Sequence, residues 1–282
     1  MNLTDIRDIK ALLARHGFHF SKSMGQNFLI ADWVPRKIAC AAGLDEHCAV
    51  LEIGPGIGPL TRQLAQRAGR VAAVELDRTL LPILAETLAG CPNVEIIPGD
   101  VMKLDLAQLT AQRFNGFTVK ACANLPYNIT TPVITKLLEA GCFQSVTLMI
   151  QREVAKRICA APGASDCGAF SLFCQYHARC ELLFEVPPEC FLPAPKVTSA
   201  VVRLTPWTVP PVEGSPDAIF AVVRAAFAQR RKTLLNGLSA AYGQWFSKDR
   251  LRQILADCGL PENVRGEQLG LEQFAALAKA LH

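Results

Sequence analysis

Four consecutive residues, Asn124-Leu125-Pro126-Tyr127, combine a hydrogen-bond acceptor, a rigid turn and an aromatic face. That set suits reaction at the exocyclic amine of a flat base such as adenine. The lone pair of such an amine is delocalised into the ring, so it attacks an electrophile only when it is oriented. An Asn side-chain oxygen and a backbone carbonyl can accept the two amine protons while an aromatic ring grips the base. The same tetrapeptide is also an ordinary turn after a strand, so its meaning depends on its neighbours.

One neighbour is Glu52-Ile53-Gly54-Pro55-Gly56-Ile57-Gly58-Pro59, a glycine-rich turn expected between a strand and a helix, with Pro59 suited to an early helical position. The dinucleotide pattern wants glycine where Pro59 stands, which disfavours a pyrophosphate-binding loop. An acid just before the turn suits a ligand with a cationic centre better than a phosphate, and S-adenosylmethionine has that character. Glu75, 21 residues after Gly54, ends a second strand where a carboxylate can accept from both ribose hydroxyls. Asp100, in Pro98-Gly99-Asp100-Val101, is expected to accept from the adenine amine of the cofactor. A lone acid at such a place more often caps a helix; the loop and two acids in register argue for a ligand.

The elements that must position these residues read as short β-branched runs alternating with helical stretches, the pattern of a parallel sheet with helices on both faces. Strands are expected at 49–53, 70–75, 94–97, 118–123, 146–150, 181–186 and 200–204. Gly54, Glu75, Asp100 and Asn124 each fall at or just past a strand's carboxyl end, where open α/β sheets bind their ligands. Near Thr205-Pro206-Trp207 the pattern breaks into a proline-rich stretch, and the sequence is helical from Pro216 onward. Two domains are expected, 1–207 and 208–282.

The chain has 282 residues, 50% hydrophobic and 19% charged, with a formal net charge of +4 and a sequence pI of about 8.5. This balance is only mildly basic, so nucleic-acid binding must be argued from where charges sit. The eleven cysteines contain no Cys-x-x-Cys pair and suit reduced thiols in a cytoplasm. Cys174, His177 and Cys180 recur every third residue and would share a helix face, but within an apolar run, and no metal is expected. The opening residues lack an apolar signal core and no stretch is apolar enough to span a membrane, so a soluble cytoplasmic protein is expected.

Together with Met24-Gly25-Gln26-Asn27-Phe28-Leu29 and Phe191-Leu192-Pro193-Ala194-Pro195-Lys196-Val197, these motifs resemble the ribosomal RNA adenine N6,N6-dimethyltransferases of the bacterial KsgA type, over nearly the whole chain. The resemblance implies an α/β, Rossmann-like class I S-adenosylmethionine-dependent methyltransferase domain followed by a small C-terminal helical domain. It implies that Asn27, Leu29, Gly54, Glu75, Asp100 and Asn124 contact S-adenosylmethionine, and that Tyr127 and Phe191 stack on a flipped adenine. Pro193 and Pro195 suggest a rigid exposed loop carrying Phe191. Two positions depart from the family: Cys167 stands where tyrosine is usual, and Met24 where leucine is usual.

No acid occurs between Asp217 and Asp249, whereas Arg224, Arg230, Arg231, Lys232 and Lys248 do. This local cationic face suits phosphate contact, with Arg224, Arg230, Arg231 and Lys232 as the RNA-binding candidates; Arg7, Lys10, Arg15 and Lys22 would extend it. The implied substrate is a pair of adjacent adenosines near the 3' end of 16S rRNA, in the small ribosomal subunit or its precursor, and the enzyme is expected to act as a monomer. Two alternatives stand beside this reading. One is the erythromycin-resistance type acting on large-subunit rRNA, which usually carries Ile where Leu125 stands. The other is a mainly non-catalytic assembly or transcription factor.

Overall fold

A computed structural model describes residues 1–20, 25–229 and 232–281. Lys22, Met24, Arg230 and Arg231 lie outside the described residues. The chain divides into two compact units, Met1–Ala155 with Arg179–Pro206, and Lys156–Ala178 with Trp207–His282.

The first unit holds strands β1 (Phe28–Leu29), β2 (Cys48–Ile53), β3 (Arg70–Glu75), β4 (Val94–Pro98), β5 (Thr118–Asn124) and β6 (Ser145–Gln151). It continues with β7 (Ala178–Val186, whose first residue groups with the second unit), β8 (Phe191–Leu192) and β9 (Ser199–Pro206). Seven of these form one sheet in the order β4-β3-β2-β5-β6-β9-β7. β2 pairs in parallel with β3 and β5, β3 with β4, and β5 with β6, while β9 runs antiparallel to β6. Every residue of β2 is buried, as a central strand covered on both faces requires. On one face Val50, Val71, Cys122, Met149 and Val201, from five strands, pack with Val34 and Ile38 of the helix Trp33–Ala41 and Leu60 and Leu64 of the helix Pro59–Ala65.

The chain enters the sheet at β2, builds outward to β4 and returns to β5. The order therefore reverses between β2 and β5, and the carboxyl ends of these two strands open a crevice. A second, two-stranded sheet pairs β1 antiparallel with β8, Phe28 opposite Leu192 and Leu29 opposite Phe191.

The second unit is helical. Its core joins Leu172 and Tyr176, from the helix Ala169–His177, to Ile219, Val222, Leu238 and Leu277. The segment Lys156–Ala178 thus belongs here by packing, although the division expected at residue 207 left it with the strands. Cys167 is fully buried in this unit, with its thiol pushed up by burial, so it packs rather than meeting a ligand. Cys180 lies in β7 and not on the helix that carries Cys174 and His177, so the three do not share a helix face. Among the described residues no group of three or more His, Cys, Asp or Glu could hold a metal ion, and no helix is long and apolar enough to cross a membrane.

Candidate active site

One pocket of the first unit is lined by Asn27, Leu29, Gly54, Glu75, Asp100, Asn124, Tyr127 and Phe191. Gly54, Glu75, Asp100 and Asn124 converge because parallel strands end on one side of the sheet, and the antiparallel β1–β8 pair brings Leu29 and Phe191 to them from far apart in the sequence. The amide of Gly54 donates to Val74 O at 3.0 Å and that of Gly99 to Glu75 O at 2.8 Å, carrying the ladders just past the strand ends. The Leu125 amide donates to Met149 O at 3.1 Å and fixes the turn after Asn124.

The floor of the pocket is a glycine cradle. Gly54 has φ +67° and a Cβ there would meet nothing within 4 Å, so bare backbone faces open space. Gly56, at φ +61°, lies under the Phe28 ring, 3.4 Å from where a Cβ would stand. Both angles disfavour any other residue. Beside the cradle, Glu52 is 1% exposed and its Oε2 has no hydrogen-bond partner. Burial pushes its carboxyl up to about 8. Glu75 is also buried and raised by desolvation, although its Oε1 accepts from the Asp77 amide at 2.7 Å. Two desolvated carboxylates are costly unless a ligand compensates them.

Asp100 combines both readings of a strand-tip acid. It caps the 3-10 turn Val101–Lys103 through Oδ1, which accepts from the Met102 amide at 2.9 Å, and it also lines the pocket. Asn124 ends β5 opposite Met149 and is partly buried in the pocket wall. Tyr127 opens the turn Tyr127–Ile129.

Phe191 corrects an expectation. It does not ride on an exposed loop: pairing with Leu29 through β8 draws it into the core, where it is 3% exposed while still lining the pocket. The exposed part of that segment begins only at Pro193.

Two residues of the N-terminal motif contribute beyond the roles assigned from sequence. Gln26 lines the pocket and its Nε2 donates to Asp77 Oδ2 at 2.7 Å, tying residues 25–29 to the tip of β3. Phe28 covers Gly56. The motif itself was visible in the sequence, but a contact across 51 positions had no local signal.

The cationic candidates divide. Arg224, in the last turn of the helix Pro216–Phe227, and Lys232 are exposed on the second unit. In the first unit, Arg7 faces Asp5 at 3.6 Å and Arg15 is ion-paired with Glu86, so neighbouring acids neutralise much of that proposed extension.

A family model described as ribosomal RNA adenine dimethylase matches residues 17–281. This chain belongs to that family. The ribosomal RNA small subunit methyltransferase A of Alkaliphilus oremlandii is 47% identical over 96% of this chain and 95% of its own length. The protein of the same description from Streptococcus pneumoniae is 44% identical over 100% and 98%. Among solved structures, the 23S rRNA methyltransferase ErmE is 27% identical with a TM-score of 0.71, covering 90% of this chain and 99% of its own. A dimethyladenosine transferase from Plasmodium falciparum is 26% identical with a TM-score of 0.71, covering 88% and 95%.

As a member of the dimethylase family, the chain is an S-adenosylmethionine-dependent rRNA adenine dimethyltransferase with a Rossmann-like domain. The pocket fits this cofactor on its own evidence: an open glycine cradle, a buried Glu52 carboxyl that a nearby cation would favour in its charged form, and two further acids able to accept from hydroxyls and an amine.

Proposed function

We propose that this enzyme dimethylates, at N6, two adjacent adenosines in the hairpin loop near the 3' end of 16S rRNA, during maturation of the small ribosomal subunit. The observation that carries this reading is the single pocket in which a cofactor cradle meets the Asn124–Tyr127 turn and Phe191. Small-subunit specificity draws support from relatives at 44–47% identity described as small-subunit methyltransferases, against 27% for a 23S enzyme. Leu125, where the resistance enzymes usually carry Ile, agrees with that.

Residues divide the work as follows. Asn27, Leu29, Gly54, Glu75, Asp100 and Asn124 hold S-adenosylmethionine, which supplies when bound an electrophilic methyl on a sulfonium. Asn124 and a backbone carbonyl of its turn accept the protons of the target amine, directing its lone pair. Tyr127 and Phe191 grip the base by stacking, a contact worth roughly 1–3 kcal/mol per base that offsets the cost of unstacking it from the RNA. No strong general base is required, because the methylated amine is acidic enough to lose its proton to water; positioning supplies much of the rate. The strand-bearing unit, Met1–Ala155 with Arg179–Pro206, is the catalytic domain, and the helical unit, Lys156–Ala178 with Trp207–His282, is the RNA-binding one, where Arg224, Arg230, Arg231 and Lys232 contact phosphates. The protein works in the cytoplasm as a monomer.

Incubation with labelled S-adenosylmethionine and small subunits, large subunits or DNA, followed by mass spectrometry of the nucleosides, tests the proposal. Dimethyladenosine is expected in small-subunit RNA alone. Label in large-subunit RNA would instead support a resistance-type enzyme.

A further inference from the structure

The Tyr127 ring is tethered from outside its own turn. Its hydroxyl lies 2.7 Å from Ser199 Oγ, across 72 positions of sequence. Ser199 is fully buried at the start of β9, opposite Gln151 of β6. The preceding residue is pinned as well, with the Arg152 amide donating to Thr198 O at 3.0 Å. The hydroxyl therefore sits on rigid backbone and has little freedom to follow the ring. Burial raises the Tyr127 phenol above its ordinary value, so it stays a neutral hydrogen-bonding group.

The same segment carries Phe191. Eight residues before Ser199, Phe191 is held by its pairing with Leu29 and lines the pocket that Tyr127 lines. Residues 191–199 are thus anchored at one end on β1 and at the other on β6, and touch both aromatic walls. A stacking slot must hold its faces in register with the base, since an offset of about 1 Å at a reacting amine can cost ~100-fold in rate.

We propose that Ser199 is a positioning residue for the target adenine: through its hydrogen bond to the Tyr127 hydroxyl it fixes the angle of one stacking face relative to Phe191. This rests on the reading of Tyr127 and Phe191 as the base-stacking pair. Ser199 never touches the base or the cofactor. Its effect is on kcat and on the second methylation, in which a bulkier monomethyl amine must be presented at the same angle.

Ser199→Ala, Tyr127→Phe and their combination test this, because the bond is removed from either end. Each single variant is expected to lower kcat about 10-fold and raise the share of monomethyladenosine. The KM for RNA and the calorimetric affinity for S-adenosylmethionine should stay within about twofold of wild type. The double variant should be no slower than either single one, as a shared interaction requires. The proposal is overturned if Ser199→Ala has wild-type kcat and product ratio, if the two effects multiply, or if kcat falls only in step with cofactor affinity. Tyr127→Ala separates the two levels of argument. Wild-type kcat in that variant would remove the stacking reading itself, whereas a large loss there beside an unaffected Ser199→Ala would remove only the role of Ser199.

Discussion

Glu52, in the pocket of the first unit, is buried with one carboxylate oxygen unpartnered, whereas Arg224 and Lys232, in the second, stand exposed in a stretch free of acids. Both regions gather ionisable groups of one sign, in opposite surroundings. In the pocket, desolvation raises the cost of the charge and makes a cationic ligand its compensation at short range. On the helical surface, solvent keeps each charge cheap, and attraction to a polyanion accumulates over many weak contacts that salt can screen. A small ligand is therefore selected by geometry and low dielectric, and a large one is gathered by field. The two regions should respond to different variables.

The largest expected effect breaks the pocket's chemistry without touching its charge. Asn124→Ala should retain S-adenosylmethionine and RNA binding within a few-fold yet lose about 100-fold or more in methyl transfer, because an unoriented amine remains a poor nucleophile. Calorimetric titration beside single-turnover assays checks this; unchanged turnover would remove Asn124 from the mechanism. A smaller effect is expected on the basic face. Arg230→Ala with Arg231→Ala should lower RNA affinity at 50 mM salt and flatten the plot of log affinity against log salt by about two units, one per lost phosphate contact. An unaltered slope would place the RNA surface elsewhere. Cofactor affinity in the same variant should not move.

The contrast between the regions also explains what the sequence disclosed. All seven strands of the main sheet are legible to within three residues, the buried parallel ones because they carry apolar runs such as 49–51 and 71–74 bounded by acids and turn residues. The acids at 75 and 100 and the glycine loop are legible for the same reason: they punctuate those runs. The pair β1–β8 is not, since two residues per strand carry no periodicity, and its loss from view is why Phe191 read as a loop residue. Lys156–Ala178 packs on helices that follow some forty residues later, and nothing local announces that. Likewise Gln26 to Asp77 and Tyr127 to Ser199 are side-chain contacts across 51 and 72 positions, fixed by the closing of the sheet and invisible before it closes.

The subtlest test concerns pH. Burial holds Glu52 at about 8 against an ordinary 4.5. Between those values the folded state keeps a proton that the unfolded chain has released. Its carboxyl thus subtracts progressively more stability as pH rises through that window and no more above it. Glu52→Gln, which cannot ionise, should match the wild-type melting temperature near pH 4.5. Its advantage over wild type should grow towards pH 8 and then level off, by a few degrees in calorimetric scans. Cofactor affinity should show the reverse: the wild type, whose carboxylate favours a cation once charged, gains affinity over Glu52→Gln across the same range. A melting difference independent of pH would mean that Glu52 is ionised in the fold across that whole range, and that burial does not set the pocket apart from the exposed basic face.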